Sequence, residues 1–285
     1  MTENPADCEL PADMAATIVP DINADRLRIA GVFNAYGGGM ATSERDRQIA
    51  KQVLDVLPEA EIFAWENRAF LRRAVTEAAA AGLRQFVDIG CGGADAGSTH
   101  EFAQRHDPTA TVVYVDIDPI AVAHRLGTLT DVPYTASILG DITEPAKTLQ
   151  AVKETGLIDF GQPVVLVNGA VWHFVGDARG PARLIKRYRN HLVSGSRLVV
   201  SHVTHDEQGE AIVAAVDIYR QHNVDVTLRS RDEIATIFGE FGEFMDPGVV
   251  FTPQHRPDPG DDHPRGRESL TYGLVAIAGE QAALS

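Results

Sequence analysis

From Arg84 onward, short apolar runs alternate with longer amphipathic stretches. The runs fall at Phe86–Ile89, Thr111–Ile117, Val164–Val167 and Arg197–His202, and they predict strands. Between them, Pro119–Leu129 and Pro181–Leu192 predict helices, each opening on a proline suited to a first turn that needs no N–H partner. Strands and helices alternating at this length predict a mostly parallel sheet covered by helices on both faces. Tyr134–Leu139 is a weaker strand, and two late strands are expected near Gly248–Thr252 and Leu270–Ile277. Pro253–Ser269, between the last two, holds four prolines and several charges, which predicts a long mobile hairpin loop. Upstream of Arg84 the period is helical. One helix runs from the N-cap Ser43 to Leu57, with Ile49, Val53, Leu54 and Leu57 on one face and Pro58 as its stop. A second spans Ile62–Ala81, with Phe63, Phe70, Leu71 and Val75 inward and Gly82 at its end. Ile22–Gly39 closes on Gly37-Gly38-Gly39, which must turn or flex. The expected organisation is a disordered tail (1–20), an N-terminal helical cap (21–82) and an α/β ligand-binding domain (83–285).

The charge of the chain narrows its partners. A formal net charge of −15 argues against a nucleic-acid backbone or an anionic membrane surface. The basic cluster Lys186, Arg187 and Arg189 has helical spacing and is expected on a solvated face. Of the two cysteines, Cys8 lies in the tail and Cys91 in a glycine turn, so no disulfide framework is expected and a reducing cytoplasm fits. Glu3, Asp7, Glu9 and Asp13 are unlike a signal peptide, and no apolar run reaches the length of a membrane span. The expected partner is a small-molecule substrate, with a homodimer compatible with the sequence.

The most informative segment is Arg84-Gln-Phe-Val-Asp88-Ile-Gly90-Cys-Gly92-Gly93-Ala-Asp95, a strand, a tight turn and then the helix-compatible Ser98–Arg105. Open α/β sheets bind nucleotides at such turns. Asp88, two residues before the first glycine, would repel a pyrophosphate but suit a ligand bearing a positive amine or sulfonium. Asp95 stands where a dinucleotide fingerprint needs Gly or Ala, which disfavours a nicotinamide-dependent oxidoreductase. Asp116 ends the second strand, where ribose hydroxyls are bound, while Asp118 is placed to cap the helix at Pro119. Asp141 follows the third strand, placed either to accept an adenine amine or to cap a helix, and Ile142 is suited to pack on the ring. Asn168 ends the fourth strand near the ligand's amino-acid end. His173, flanked by Trp172 and Phe174, is either a general base or a loop-fixing side chain. His202, His205 and Asp206 suggest a metal, but two rings on a strand end need not converge; no metal is expected, and His202 is a candidate pocket residue.

Taken jointly, Arg26…Ala35-Tyr36-Gly37-Gly38, Asp46-Arg47, Glu66-Asn67-Arg68-Ala69-Phe70-Leu71-Arg72-Arg73-Ala74-Val75, Arg84–Gly90, Val112–Pro119, His173-Phe174 and Ser201-His202 resemble one family. It is the actinobacterial S-adenosyl methyltransferase family within the class I methyltransferases, and the resemblance runs from about Arg26 to Gly279. It implies a Rossmann-like sheet of seven strands with the last antiparallel. It implies S-adenosylmethionine on the turn formed by Gly90, Cys91 and Gly92, S-adenosylhomocysteine as product, and Asp88, Asp116, Ile117, Asp141, Ile142 and Asn168 around the cofactor. Tyr36 and Arg68 would face the site from the cap. Three departures stand out: Ala94 replaces a glycine of the usual turn, Asn34 stands where relatives often carry Asp, and Asn168 where they carry an apolar residue. The expected activity is methyl transfer to an oxygen or nitrogen of a small molecule. The alternative is a protein that binds the same cofactor for a non-methylating displacement or ring closure, or for regulation without catalysis.

Overall fold

The computed structural model describes residues 27–39, 42–93, 97–260 and 266–280. The tail 1–20 with Cys8, residues Ala94 and Asp95 of the glycine turn, and part of the 253–269 loop lie outside them. Five strands are parallel: β1 (Gln85–Ile89), β2 (Thr111–Asp116), β3 (Thr135–Leu139), β4 (Val165–Asn168) and β5 (Arg197–Val203). β6 (Glu243–Phe244), β7 (Val250–Phe251) and β8 (Thr271–Ile277) complete the sheet in the order β3-β2-β1-β4-β5-β8-β6, with β7 also on β8. β8 runs antiparallel to β5, as the resemblance implies. The path holds seven strands; β7 is a two-residue addition where a longer strand was expected. β6 is too short for any period to announce it.

Period-2 alternation sends successive side chains to opposite layers. Val87 and Ile89 join Val113, Val115, Leu166 and Leu198 on one face. That face is covered by α6 (Pro145–Glu154), α7 (Pro181–Asn190) and α9 (Arg231–Phe238), through Leu149, Ile185 and Phe238 among others. Phe86, Val112, Tyr114, Val165 and Val199 point the other way, against α3 (Ala60–Ala80) and α4 (Thr99–Ala103). α5 (Pro119–Thr128) follows β2 and buries Ala121, Val122 and Arg125. The cap is α1 (Ile29–Tyr36) and α2 (Glu44–Val56), packed with the start of α3 and with α8 (Glu210–Gln221) around Val32, Ile49, Val53, Phe63 and Ile212.

Ser43 is the N-cap expected for α2. Asp46 N–H donates to Ser43 Oγ at 3.1 Å and Ser43 N–H to Asp46 Oδ2 at 2.9 Å, a reciprocal capping box. The buried Asp46 carboxylate also takes the Arg28 guanidinium at 2.9 Å, tying α1 to α2. The basic cluster on α7 departs from expectation. Lys186 and Arg187 are exposed, but Arg189 is buried and donates to the carbonyls of Leu192 and Gly279. Its aliphatic stem shares the inner face of α7, and its head is satisfied by those carbonyls. The described part of the 253–269 loop is anchored by Arg73, which donates to the Thr252 and His255 carbonyls at 2.7 and 3.2 Å.

Candidate active site

Strand order reverses between β1 and β4, and the crevice at their carboxyl ends holds the glycine turn. Gly90 sits at φ +76°, and a Cβ there would lie 2.5 Å from Val171 Cγ2, so both backbone freedom and close approach demand glycine. The turn is fastened from below by Arg125, which sequence reasoning did not single out. Its Nη2 donates to the carbonyls of Cys91, Gly92 and Gly93 at 3.1, 3.3 and 2.8 Å, and Nη1 to Ser98 Oγ at 3.2 Å. The guanidinium lies 4.2 Å from the Tyr114 ring centroid. Arg125 shares the inner face of α5 with Ala121 and Val122, and a charge on an apolar helical stripe was the available signal. Burial pushes the Cys91 thiol up, so it stays protonated.

Four carboxylates line one cavity of about 670 Å³ at the ends of β1, β2 and β3. Asp88 accepts the Thr99 hydroxyl at 2.6 Å, and burial raises its pKa to about 6. Asp116 accepts from Gly92 N–H at 2.7 Å and Asp118 N–H at 2.9 Å, and burial raises it as well. Asp118 caps α5 through Ile120 N–H at 2.9 Å, the role its position suggests. Asp141 accepts from the Thr143 amide and hydroxyl at 2.7 and 2.8 Å, turning the loop. It does not cap α6, whose N-cap is Glu144. Ile117, 69% exposed, and Ile142 add apolar surface beside these acids.

The cavity continues outward into a lobe between the cap helices and α8, walled by Phe33, Val53, Leu57, Phe63, Ile212 and Val216. Tyr36 and Tyr219 meet hydroxyl to hydroxyl at 2.5 Å across this lobe. Burial raises both phenols, Tyr219 to about 12 and Tyr36 well above its ordinary value. Arg68 Nη2 donates to Asn34 Oδ1 at 3.2 Å, and its guanidinium stands 5.7 Å over the Phe33 ring. The two cap residues expected at the site, Tyr36 and Arg68, therefore line it.

His173 also lines the cavity, only 4% exposed, and its Nδ1 has no partner. Burial, with His202 and the Arg229 charge behind it, holds its pKa well below the ordinary imidazole value, so the ring is neutral. His202 does not face the cavity. Its Nδ1–H donates to Val203 O at 2.7 Å and its Nε2 accepts Arg229 Nη1–H at 2.7 Å, with the pKa driven to about 3 by burial. Arg229 itself reaches Asp177 at 2.7 Å and the carbonyls of Val175 and Trp172, bracing the loop that carries His173. Asn168 is turned inward too: Nδ2 donates to Val167 O at 2.7 Å and Oδ1 accepts Trp172 Nε1–H at 3.1 Å. Both side chains point into the body of the protein because β4 and β5 are buried along their full length. His205 pairs with Asp206 instead of converging on His202, and among the described residues no group of His, Cys, Asp and Glu is arranged to hold a metal.

Asn67 and Ser201 brace the end of β4. Ala170 N–H donates to Ser201 Oγ at 2.8 Å, and Ser201 donates to Asn67 Oδ1. Ala170 adopts φ +52° there, and the neighbouring Gly169 lies so close to Leu71 that a Cβ would come within 2.5 Å. Among the described residues no helix is long and apolar enough to cross a membrane.

The model of the S-adenosyl methyltransferase family matches residues 15–279. A crystallised DUF574 family protein from Streptomyces avermitilis is 30% identical over 90% of this chain and all of that one, with a TM-score of 0.85. A protein from Thermobifida fusca, solved as a candidate methyltransferase, is 32% identical over 90% of this chain and 96% of that one, with a TM-score of 0.81. The carbon methyltransferase CurJ shares the fold alone, at 15% identity over 88% of this chain and 67% of that one and a TM-score of 0.52. No curated protein matches. The chain belongs to the S-adenosyl methyltransferase family.

Proposed function

We propose that this S-adenosyl methyltransferase family member moves the cofactor's methyl group to an oxygen or nitrogen atom of a small, largely apolar molecule. One observation supports this reading above all: a single cavity joins a carboxylate-lined inner end to an apolar outer lobe under the cap. The inner residues fit S-adenosylmethionine. Asp116 and Asp141 offer acceptors for ribose hydroxyls and an adenine amine, Ile117 and Ile142 offer apolar surface, and Asp88 offers negative charge to a cationic ligand. When bound, that cofactor supplies an electrophilic methyl on a positively charged sulfur.

The chain's own work is then positioning. The Arg125-fastened turn presets the inner site, while the cap and α8 wall the acceptor in and exclude water, so that reactants meet at high effective concentration. His173 lines the cavity as a neutral ring able to accept a hydrogen bond from the acceptor's O–H or N–H, while the burial and the Arg229 charge that keep it neutral make it a weak base.

Calorimetry with S-adenosylmethionine and S-adenosylhomocysteine tests the cofactor, and silence toward both at millimolar concentration would sink the reading. Incubation with cofactor and cell extract, followed by mass spectrometry, tests transfer against binding alone. His173→Ala is expected to lower turnover about a hundredfold while cofactor affinity holds; unchanged turnover would return His173 to a loop-fixing role.

A further inference from the structure

We propose that Asn34 reads the methyl acceptor, and that this acceptor is an apolar molecule presenting a carbonyl-type oxygen, as a neutral carbonyl or a carboxylate. The proposal rests on the outer lobe being the acceptor site. Asn34 is 4% exposed and lines the cavity, next to Phe33 of the lobe wall and one helical turn along α1 from Ala30, which stands against Gly92. A guanidinium only donates, so Arg68 at 3.2 Å forces the amide oxygen toward itself. The amide nitrogen is thereby left as a buried donor with no partner. Buried polar groups are rarely left unsatisfied without a functional reason, and a ligand oxygen is the partner this one lacks.

The surroundings agree on sign and shape. Asp88, Asp116, Asp118 and Asp141, the acids that line the cavity among the described residues, all stand at its inner end. Arg68 and Arg28, the latter held by Asp46, line the cavity on the side of the cap. Among the described residues no carboxylate lines that part of the cavity to receive a ligand ammonium. In the Tyr36–Tyr219 pair one hydroxyl donates to the other, so the second phenol keeps its own proton as a further donor. Phe33, Leu57, Phe63 and Ile212 surround the space left for an apolar body.

Were Asn34 merely a support for Arg68, its oxygen alone would matter, and a carboxylate would serve better. Asn34→Asp separates the two roles. The full chain is first titrated with S-adenosylhomocysteine. The saturated complex is then titrated calorimetrically with 4-butylacetophenone, 4-butylbenzoate and 4-butylbenzylammonium. At least one oxygen-bearing probe is expected to bind tenfold or more tighter than the ammonium, and the order of ketone and carboxylate identifies which oxygen is read. In Asn34→Asp that preference is expected to fall at least tenfold, with S-adenosylhomocysteine affinity within twofold and the melting temperature not lowered. An ammonium that binds as well as both oxygen probes, an unaltered preference in Asn34→Asp, or no probe binding at millimolar concentration overturns the inference. Failure of S-adenosylhomocysteine itself to bind overturns the proposed function instead.

Discussion

Asp88 carries its charge at the cost of local stability. Burial lifts its pKa to about 6, against the pull of the Thr99 hydroxyl and the Arg125 charge. A carboxyl whose folded pKa exceeds its unfolded value makes the ligand-free protein less stable as pH rises from about 4 through 6, the window in which the unfolded chain ionises first. A cationic ligand needs the ionised form. Calorimetric affinity for S-adenosylmethionine should therefore fall several-fold as pH drops from about 7.5 to about 5.5. Asp88→Asn should flatten that profile, weaken binding and raise the melting temperature of the ligand-free protein, a trade of stability for function. A mutant with the parent's pH profile would remove Asp88 from cofactor binding. At this scale the sequence reading divides cleanly. Asp88, Asp116 and Asp141 were legible as a group because three successive strands bring them to one edge of the sheet, and all three line the cavity. Asn168 and His202 occupy similar positions, yet their side chains turn inward to Trp172 and Arg229. Position at a strand end says where a residue sits, not which way it points.

Single elements gain their function here from what reaches across to them. The glycine turn has little side chain of its own to shape it beyond the Cys91 thiol, and the preceding strand fixes only where it begins. Its carbonyls are gathered by Arg125 from α5, 32 to 34 positions downstream. Arg125→Met keeps much of the aliphatic stem but removes the donors to Cys91, Gly92, Gly93 and Ser98. Hydrogen bonds to a charged group are each worth about 1.5–3 kcal/mol, so the variant should lose at least that much in urea unfolding. Cofactor affinity should drop tenfold or more; wild-type affinity would show that the turn holds its shape unaided. Helix limits, by contrast, were largely local. Ser43 opens α2 with a side-chain bond three residues long, and Pro119 and Pro181 each open a helix as expected. The burial of Arg189 on α7 was not local, because the Gly279 carbonyl that receives it lies 90 positions away.

For the molecule as a whole, the boundary expected between residues 82 and 83 runs through shared packing. The second half of α3 lays Phe70, Ala74, Val75 and Ala78 on Phe86, Val112, Val165, Val199 and Val275 of the sheet. Glu77 on the same helix binds Arg197 and Arg256. Cap and sheet should thus unfold in one calorimetric transition, and a chain begun at residue 83 should lack near-ultraviolet circular dichroism because one sheet face loses most of its cover, keeping only α4. A soluble, folded fragment from residue 83 onward would restore the cap as an independent unit. What the sequence by itself determined was the alternation of strands and helices, the parallel sheet, the glycine turn and the acids beside it. These follow from periods and turns that span a few residues. The tertiary structure alone decided that Asn34 meets Arg68, that Tyr36 meets Tyr219 across 183 positions, and that His173 is neutral between Arg229 and the cavity. Periodicity shows which face of an element is buried; which distant segment covers that face, and which polar groups are left unpaired beneath it, follows only from the packed fold.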